Sequence, residues 1–439
     1  MEVAWLFGSF LVMTLLGVPI AVSLGMASLT TFVLFEPIPF RLLGQQVFSN
    51  LDSFPLMAIP FFFLAAALMQ TGGVTRRLID FANSLVGHYY GGLGLTAMLT
   101  CMLFATISGS GPATVAAVGA IMIPALVRNG YSKEYAVGTI STAGGVGILL
   151  PPSIPLIIYG LVTGTSVPRL FLGGVIPGLI FGGMMMLAGY VVSRRMGYRG
   201  SRKATWAERG RAFIMALPAL SIPAAIIIGI YGMPAFTLGG WTHRGGAFFT
   251  PTEAAIVASF LALVVGSLIY REFNLGSLTK TALDVMPRIG MVVWIITNAF
   301  IFGFLLTNLG VPQAVAGWVA SVDLPVWLFL IAVNVIIVLA GQMMQGIPII
   351  LIFVPVLFPA AMTLGIDPIH FGIMIIVNIE LGLTTPPVGL NLFVASMISD
   401  MPLLKVLQAT LPWMLIDLFV LILVTSIPLL STWLPSLLS

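Results

Sequence analysis

Residues 108–112 read Ser-Gly-Ser-Gly-Pro, and residues 341–348 read Gly-Gln-Met-Met-Gln-Gly-Ile-Pro. Each stretch is followed, further along the chain, by a second glycine-containing segment that ends in two consecutive prolines. The sequence therefore contains one unit twice, and each copy interrupts its own helices at the same places. An offset of 235 residues brings the two copies into register, in the pairs Gly111 and Gly346, Gly147 and Gly382, and Pro151 and Pro386.

The composition is that of a polytopic membrane protein. Of the 439 residues, 59% are hydrophobic and only 7% are charged, whereas a soluble protein carries roughly 25% charged residues. The single cysteine, Cys101, excludes an intramolecular disulfide, and the three scattered histidines do not favour a histidine metal site. We attribute the net charge of +4 to membrane topology and expect no nucleic-acid partner.

Helix interruptions inside a membrane are informative because unwound backbone persists there only when protein buries it or when it lines a polar cavity. Paired interruptions in two halves of a chain indicate the binding site of a transporter. A single break of this kind is more often a kink or a packing point, so the duplication carries the prediction.

The chain divides into seven predicted segments, none of which resembles a soluble domain. Residues 3–35 fit either one kinked span or two short ones. In order, the segments are N-terminal scaffold spans (1–71), an amphipathic arm helix (72–91), the first hairpin and broken helix (92–166), scaffold spans with a basic cytoplasmic loop at 194–211 (167–273), a second arm helix (274–289), a span with the second hairpin and broken helix (290–405), and a C-terminal span (406–439).

The hairpins are predicted from the lengths of their arms. Residues 93–106 and 113–127 are apolar runs of about 14 and 15 residues, roughly 21 Å as helices, which is too short to cross a core of about 30 Å. With a glycine, serine and proline tip between them, they predict a re-entrant hairpin. Residues 325–340 and 347–362 predict a second one.

Two amphipathic stripes predict arm helices at the membrane interface. The first includes Val74 and Leu78, and the second, over 275–289, is placed at the equivalent position of the second repeat. We interpret both as arms that join a fixed scaffold to a moving hairpin domain. Such arms need hinges, which we expect at Gly72-Gly73, Gly91-Gly92 and Gly276.

Basic residues predict the topology. With the 194–211 loop in the cytoplasm, alternating spans place all but three of the 18 Lys and Arg residues inside, the exceptions being Arg41, Arg169 and Arg244. The first hairpin then opens from the cytoplasm and the second from outside. We therefore predict an all-α polytopic membrane protein with inverted repeats, each containing a re-entrant helical hairpin and a broken transmembrane helix.

The broken helices supply the expected chemistry. Their free carbonyl oxygens suit Na⁺ and their free amide groups suit a carboxylate, while hydroxyls add neutral ligands and glycines allow close approach. We predict two Na⁺ sites, from Ser108, Gly109, Ser110, Gly111, Thr114, Gly144, Gly147 and Pro151 in the first repeat and from Gly341, Gly346, Gly382, Thr384, Thr385 and Pro386 in the second. A carboxylate substrate is expected between them, bound by Ser108, Ser110, Ser153, Thr385 and Asn391.

Three further polar residues fall inside apolar segments, where such residues are functional candidates by default. Glu380 lies beside the second break, and one interpretation is a buried partner that orients the loop. Asp417 in the last span fits a structural hydrogen-bonding partner equally well, and Asn378 lies two residues before Glu380.

At these residues the chain resembles the large membrane subunit of the tripartite ATP-independent periplasmic (TRAP) transporters. The resemblance implies an elevator-type importer of organic acids in the bacterial inner membrane, with Na⁺ as the coupling ion. It also implies a periplasmic binding protein that delivers the substrate and a small four-helix membrane subunit on a separate chain. The matching stretches are Gly17-Val-Pro-Ile-Ala21, SGSGPATVAAVGAIMIPAL (108–126), GGVGILLPPSIPLIIYG (144–160), FFTPTEAA (248–255) and LGLTTPPVGLNLF (381–393).

One departure from the family concerns the second tip. Many relatives carry an acidic residue where this chain reads Met344-Gln345-Gly346, so backbone carbonyls are expected to contribute more to ion binding there. C4-dicarboxylates are the first expected substrates, before sialic acid, other sugar acids and 2-oxo acids.

Other function classes make different demands on the sequence. A stand-alone Na⁺/dicarboxylate or citrate symporter and a Na⁺/H⁺ antiporter of the same architecture are the alternatives. An intramembrane enzyme is disfavoured because Ser108 and Ser110 have no histidine or lysine within the same hairpin arms. A channel is disfavoured because closed hairpins in inverted copies favour alternating access over a continuous pore.

Overall fold

A computed structural model describes residues 1–35, 39–232, 236–238, 241–243 and 246–438. Arg244, which the topology prediction places outside, lies beyond the described residues. The first half contains α1 (Glu2–Leu15), α2 (Ile20–Phe35), α3 (Phe40–Leu51), α4 (Ala58–Thr71), α5 (Val74–Val86), α6 (Gly92–Ser108), α7 (Gly111–Arg128), α8 (Lys133–Ala143), α9 (Ile154–Thr163), α10 (Val167–Met196) and α11 (Trp206–Tyr231).

The second half begins with a short antiparallel pair, β1 (Phe236–Leu238) and β2 (Trp241–His243), in which Thr237 lies opposite Thr242. Everything after this pair is helical. The remaining helices are α12 (Pro251–Val264), α13 (Leu275–Asn308), α14 (Val311–Ser321), α15 (Val326–Gly341), α16 (Gly346–Thr363), α17 (Pro368–Leu383), α18 (Leu390–Ser399), α19 (Leu403–Ser426) and α20 (Leu429–Leu437).

Within the described ranges, eight helical segments are long and apolar enough to cross a membrane. Seven further apolar helices are shorter, at 10–17 residues. The chain is thus a helical, multi-pass membrane protein, as its composition predicts.

Residues 3–35 form two helices rather than one kinked span. Helix α1 ends at Leu15 and α2 begins at Ile20, and the two pack against each other. Gly17 between them has a φ of +82°, a conformation that glycine adopts at little cost. The second of the two expected arrangements is therefore observed.

The hairpin arms are longer than predicted. Helices α6, α7, α15 and α16 contain 17, 18, 16 and 18 residues, which corresponds to about 24 to 27 Å. Each helix extends past the uninterrupted apolar run because glycine, serine and arginine at its ends adopt helical conformations. The length argument for re-entrant hairpins is therefore wrong, and only the positions of their tips can support re-entry.

Helix boundaries recur at the offset of 235 residues. Helix α7 superimposes on α16 at both ends, and the cis peptides Pro151-Pro152 and Pro386-Pro387 coincide. At this offset the counterpart of α5 is α14, not the stripe at 275–289.

The predicted second arm helix is instead the first part of α13, a single helix of 34 residues. Pro287 does not end this helix, because neighbouring helices and local adjustments satisfy a freed carbonyl in membrane proteins. Gly276 lies in its first turn, so the structure places no hinge there.

The basic loop is shorter than the predicted 194–211. Helix α10 continues through Arg194 and Arg195, and α11 begins at Trp206 with a capping box formed by Thr205 and Glu208. This reciprocal cap satisfies two free amide groups and starts the helix before the apolar run.

The helices pack in two groups. Helices α1, α2, α4, α11, α12 and α13 form one, and α6 to α10 with α14 to α20 form the other. Helix α10, which the sequence assigns to the scaffold, packs against α6, α17, α19 and α20 of the second group. Its glycines permit this, since a Cβ on Gly174 would stand 2.3 Å from the Leu149 carbonyl oxygen.

The broken helices form the core of the second group. Every residue from Ile369 to Leu383 is buried, and so is every residue from Tyr135 to Ala143. Helices that are apolar on all sides belong in such positions. Both interruptions therefore lie at the centre of the protein.

Candidate ion and substrate site

The first hairpin turns through only two residues. Helix α6 ends at Ser108, Gly109 adopts a φ of +58°, and extended Ser110 precedes the first residue of α7. A Cβ on Gly109 would stand 2.7 Å from the carbonyl oxygen of Pro152. This tip therefore fits closely against the first break only because residue 109 is glycine.

Three oxygens converge at this tip. The hydroxyls of Ser108 and Thr114 are 2.7 Å apart, and the Thr114 hydroxyl donates to the Ser110 carbonyl oxygen at 3.0 Å. A Cβ on Gly147 would lie 2.9 Å from both the Ser110 carbonyl oxygen and the Thr114 hydroxyl. Neutral hydroxyl and carbonyl oxygens suit a hard monovalent cation, so the structure brings together predicted ligands from the hairpin and the broken helix.

Not every predicted residue of the first repeat reaches this cluster. A Cβ on Gly144 would lie 2.3 Å from Cγ2 of Val115, so Gly144 is a packing position against α7. Ser153 caps α9, because its hydroxyl bonds to the Ile148 carbonyl oxygen and accepts from the Leu156 amide. Pro151 forms the cis bond to Pro152 at the turn before this cap.

The second tip is built from main chain. A Cβ on Gly382 would stand 2.6 Å from Cα of Gly341, so the two backbones touch. The Gln342 carbonyl oxygen accepts from the Val388 amide at 3.1 Å, which ties the tip to the second break. Gly346 begins α16, where a Cβ would lie 3.0 Å from Cγ2 of Ile379.

The hydroxyls of the second break are already engaged. The Thr384 hydroxyl lies 3.2 Å from Oδ2 of Asp417 and 3.0 Å from the Leu381 carbonyl oxygen. The Thr385 hydroxyl donates to the same Leu381 oxygen, and Pro386 forms the cis bond to Pro387. These bonds hold the break in shape, and the threonines do not converge as the first-tip hydroxyls do.

Both tips line one cleft of about 80 Å³. Gly109, Ser110 and Pro112 face it from the first hairpin, and Gln345, Gly346 and Ile347 from the second. Phe63 and Val292 of the other packing group also line it. The cleft thus joins the two predicted ion sites and borders both groups of helices.

A buried carboxyl group lies where the two repeats meet. Glu380 is 2% exposed, and its Oε1 accepts a hydrogen bond from Nδ2 of Asn391 at 2.8 Å. A Cβ on Gly145 would stand 1.9 Å from Glu380 Oε1, and one on Gly111 would stand 3.2 Å from Oε2. Asn391 therefore binds Glu380 and does not face the cleft.

Glu380 is absent from the predicted ligand set. Its position two residues before Gly382 was the available signal, because Gly147 holds the matching place against the first tip. Asn378 instead donates to the side-chain and main-chain oxygens of Asn334, at 2.7 and 2.9 Å, which ties α17 to α15.

Comparisons with known proteins agree with this arrangement. Residues 7–430 match the family model described as the tripartite ATP-independent periplasmic transporter, DctM component. The chain is 45% identical to the C4-dicarboxylate TRAP transporter large permease protein DctM of Pseudomonas aeruginosa, over 94% of each protein. It is 38% identical to the isethionate TRAP transporter permease protein DctMQ of Oleidesulfovibrio alaskensis, over 96% of this chain and 65% of that protein.

A solved structure, that of the Alcanivorax borkumensis YdaH transporter, shares the fold with a TM-score of 0.63 at 16% identity, over 95% of this chain and 97% of that one. The named relatives are permease subunits of transporters and not enzymes. The chain belongs to the family of DctM components, the large permease subunits of the tripartite ATP-independent periplasmic transporters.

Proposed function

We propose that this subunit imports an organic acid by Na⁺ symport, with C4-dicarboxylates as the first candidate substrates. A periplasmic binding protein would deliver the acid, and a small four-helix subunit on a separate chain would flank this one in the bacterial inner membrane. The name of the Pseudomonas aeruginosa relative supports the dicarboxylate, and the isethionate relative, named DctMQ, is longer than this chain.

One observation carries the proposal. The hydroxyls of Ser108 and Thr114 and the carbonyl oxygen of Ser110 converge against Gly147, beside a cleft that both hairpin tips line. A cation there is coordinated by neutral oxygens, and its charge would attract a carboxylate entering the cleft. Substrate and ion then stabilise each other, which is the requirement for symport.

Sodium dependence tests the proposal directly. The chain, its small subunit and the cognate binding protein are placed in proteoliposomes, and uptake of a panel of acids is followed. Uptake should require an inward Na⁺ gradient and persist when the pH gradient is collapsed. Equal transport driven by a proton gradient alone would contradict Na⁺ symport, and uptake without the binding protein would favour a stand-alone symporter.

We further propose that the two repeats are inverted, with re-entrant hairpins. Tips that spanned the bilayer would emerge at its faces, whereas Gly109 and Gly346 line one cleft beside the buried broken helices. The recurrence of helix boundaries at one offset supports a common unit. A shared cleft cannot be divided between two separating domains without losing the site, which favours an elevator movement of both hairpins together.

A cross-link tests this movement. Nε2 of Gln70 in α4 lies 3.4 Å from the Ala113 carbonyl oxygen in α7, across the two packing groups. In a Cys101→Ala background, the pair Gln70→Cys and Ala113→Cys should form a disulfide that stops uptake until it is reduced. The pair Phe61→Cys and Ser259→Cys lies within one group, where the Ser259 hydroxyl bonds to the Phe61 carbonyl oxygen at 2.6 Å, and serves as control. Full uptake by the cross-linked first pair would favour a fixed-site rocking mechanism.

A further inference from the structure

Three buried oxygens near the centre of the protein lack hydrogen-bond partners within the described part of the chain. They are Oε2 of Glu380, Oδ1 of Asn391 and Oδ1 of Asp417. Buried polar atoms in native proteins are almost always paired, so each of these calls for a proton or a ligand. The first two belong to side chains that already face each other.

The Glu380 and Asn391 side chains form half of an acid–amide ring. Nδ2 of Asn391 donates to Oε1 of Glu380 at 2.8 Å. The two remaining atoms, Glu380 Oε2 and Asn391 Oδ1, lie 3.2 and 3.4 Å from the point where a Cβ on Gly111 would stand. Both are acceptors when the carboxyl group is ionised, and a single proton on Oε2 would turn this pair of acceptors into a donor and an acceptor.

From this geometry we infer that Glu380 is a proton-binding site, occupied while the two repeats are packed together. The proton on Oε2 bonds to Oδ1 of Asn391 and closes the ring, so that one neutral pair satisfies both oxygens. Glu380 is then a positioning residue, which holds the start of α7 and the first break in the geometry of the oxygen cluster. The inference concerns the site of the proposed function but stands on the side-chain geometry and not on the identity of the coupling ion.

The surroundings favour a neutral acid over an ionised one. Asp417 of α19 is the acidic group that interacts with Glu380, and its Oδ2 accepts from Thr384. Helices α9, α15, α16, α18 and α20 and residues 144–148 contain no acidic or basic residue. On α7, α8, α10 and α19 the remaining charged residues lie at or near helix ends: Arg128, Lys133, Glu134, Arg169, Arg194, Arg195 and Lys405. A buried carboxylate without a neighbouring cation is strongly disfavoured, so the proton is the simplest occupant.

Gly145 shows that the carboxyl group has a dedicated place. A Cβ at this position would lie 1.9 Å from Oε1 and 2.1 Å from Cδ of Glu380, so only glycine leaves room for the side chain. The pocket closes around the carboxyl group itself, and Asn391 is fully buried beside it.

Infrared spectroscopy on the chain with its small subunit in lipid tests the inference without transport. The difference spectrum between neutral and alkaline pH should contain a protonated-carboxyl band that is lost in Glu380→Gln and kept in Asp417→Asn. A Glu380→Gln spectrum identical to that of the unaltered protein would overturn the inference. Sodium dependence of uptake tests the proposed function separately, so the two can fail independently.

Conservative rescue gives a second readout. Glu380→Ala should lower the uptake rate by about tenfold or more, because it leaves Asn391 unpaired. Glu380→Gln can donate to Oδ1 and accept from Nδ2, so it should restore most of the rate and remove the decline in uptake at alkaline pH. If Glu380→Gln is as inactive as Glu380→Ala and binds Na⁺ more weakly, Glu380 is an ionised cation ligand and the inference is wrong.

Discussion

The two tips occupy equivalent positions but are built from different atoms. At the first tip, side-chain hydroxyls of Ser108 and Thr114 meet a carbonyl oxygen in front of Gly147. At the second, Gly341 and Gly382 bring two backbones into contact, and the threonine hydroxyls of the break bond to carbonyls and to Asp417. One helical frame therefore presents side-chain oxygens in one repeat and mainly main-chain groups in the other.

This difference separates the tolerance of the two tips to substitution. A hydroxyl can be removed while the backbone keeps its course, so the first tip should lose ion affinity before it loses structure. A backbone contact between two glycines has no side chain that can yield, so the second tip should lose structure and ion affinity together.

The largest effects are expected at the two inner glycines. Gly382→Val would drive a side chain into Cα of Gly341, and Gly147→Val would drive one into the Ser110 carbonyl oxygen and the Thr114 hydroxyl. Overpacking of this kind costs about 1 to 3 kcal/mol or more, so uptake should fall by more than about tenfold in both variants. Thermal unfolding in detergent should show the larger loss of stability for Gly382→Val.

Gly183 of α10 provides the matched control for these variants, because nothing lies within 4 Å of a Cβ there. Gly183→Val should keep its uptake and stability. An uptake rate for Gly382→Val equal to that of Gly183→Val would mean that the second tip is not closed by its backbone.

Intermediate effects are expected from the hydroxyls. Ser108→Ala and Thr114→Val each remove one oxygen from the first cluster, so the Na⁺ concentration for half-maximal uptake should rise by about tenfold, corresponding to roughly 1 to 1.5 kcal/mol. Thr385→Ala removes a hydroxyl that already donates to Leu381, and should raise it less. Expression and folding should remain normal in all three.

The hydroxyl series can contradict the comparison in two ways. Unchanged Na⁺ affinity in Ser108→Ala, Ser110→Ala and Thr385→Ala together would make the hydroxyls packing groups. A larger shift from Thr385→Ala than from Ser108→Ala would place the stronger side-chain ligand in the second repeat.

The glycine and proline pattern predicted the frame well because such residues leave local marks. Both tips, both breaks and the recurrence at 235 residues follow from where helices cannot continue. The Ser153 cap and the engaged threonines were read as ligands, since sequence does not show which hydroxyls the backbone already uses. The Glu380–Asn391 pair depends on where Gly145 and Gly111 of the other repeat come to lie, and that is a tertiary property.

Helix assignments failed where apolar pattern and continuity disagree. The stripe at 275–289 is amphipathic, yet it continues through Pro287 into a span. Helix α10 reads as an ordinary span, but its glycine face packs onto the broken helices. Neither outcome can be judged from hydropathy alone, because both depend on which neighbour covers the helix.

The smallest effect is expected at the arm helices, where the repeats also differ. Helix α5 packs against α11, and Arg77 pairs with Glu272 at 3.0 Å and lies over the Tyr270 ring at 4.0 Å. Its counterpart α14 packs against α16 through apolar residues. The first arm is therefore attached by charge to one group of helices, and the second by apolar contact to the group that carries the hairpins.

Removing the charged attachment should have a measurable but modest effect. Exposed ion pairs contribute about 0 to 1 kcal/mol, and a cation–π contact contributes a similar amount, so Arg77→Ala should slow uptake by no more than about fivefold. Glu272→Gln keeps the contact with Tyr270 and should slow it less, and added salt should reduce the difference between Glu272→Gln and the unaltered protein. Arg76→Ala changes an exposed neighbour on the same helix and is the control. Equal rates for Arg77→Ala and Arg76→Ala would mean that α5 is held by its apolar face alone, since Val74 and Leu78 are fully buried, and the two arms would then be attached by the same kind of contact.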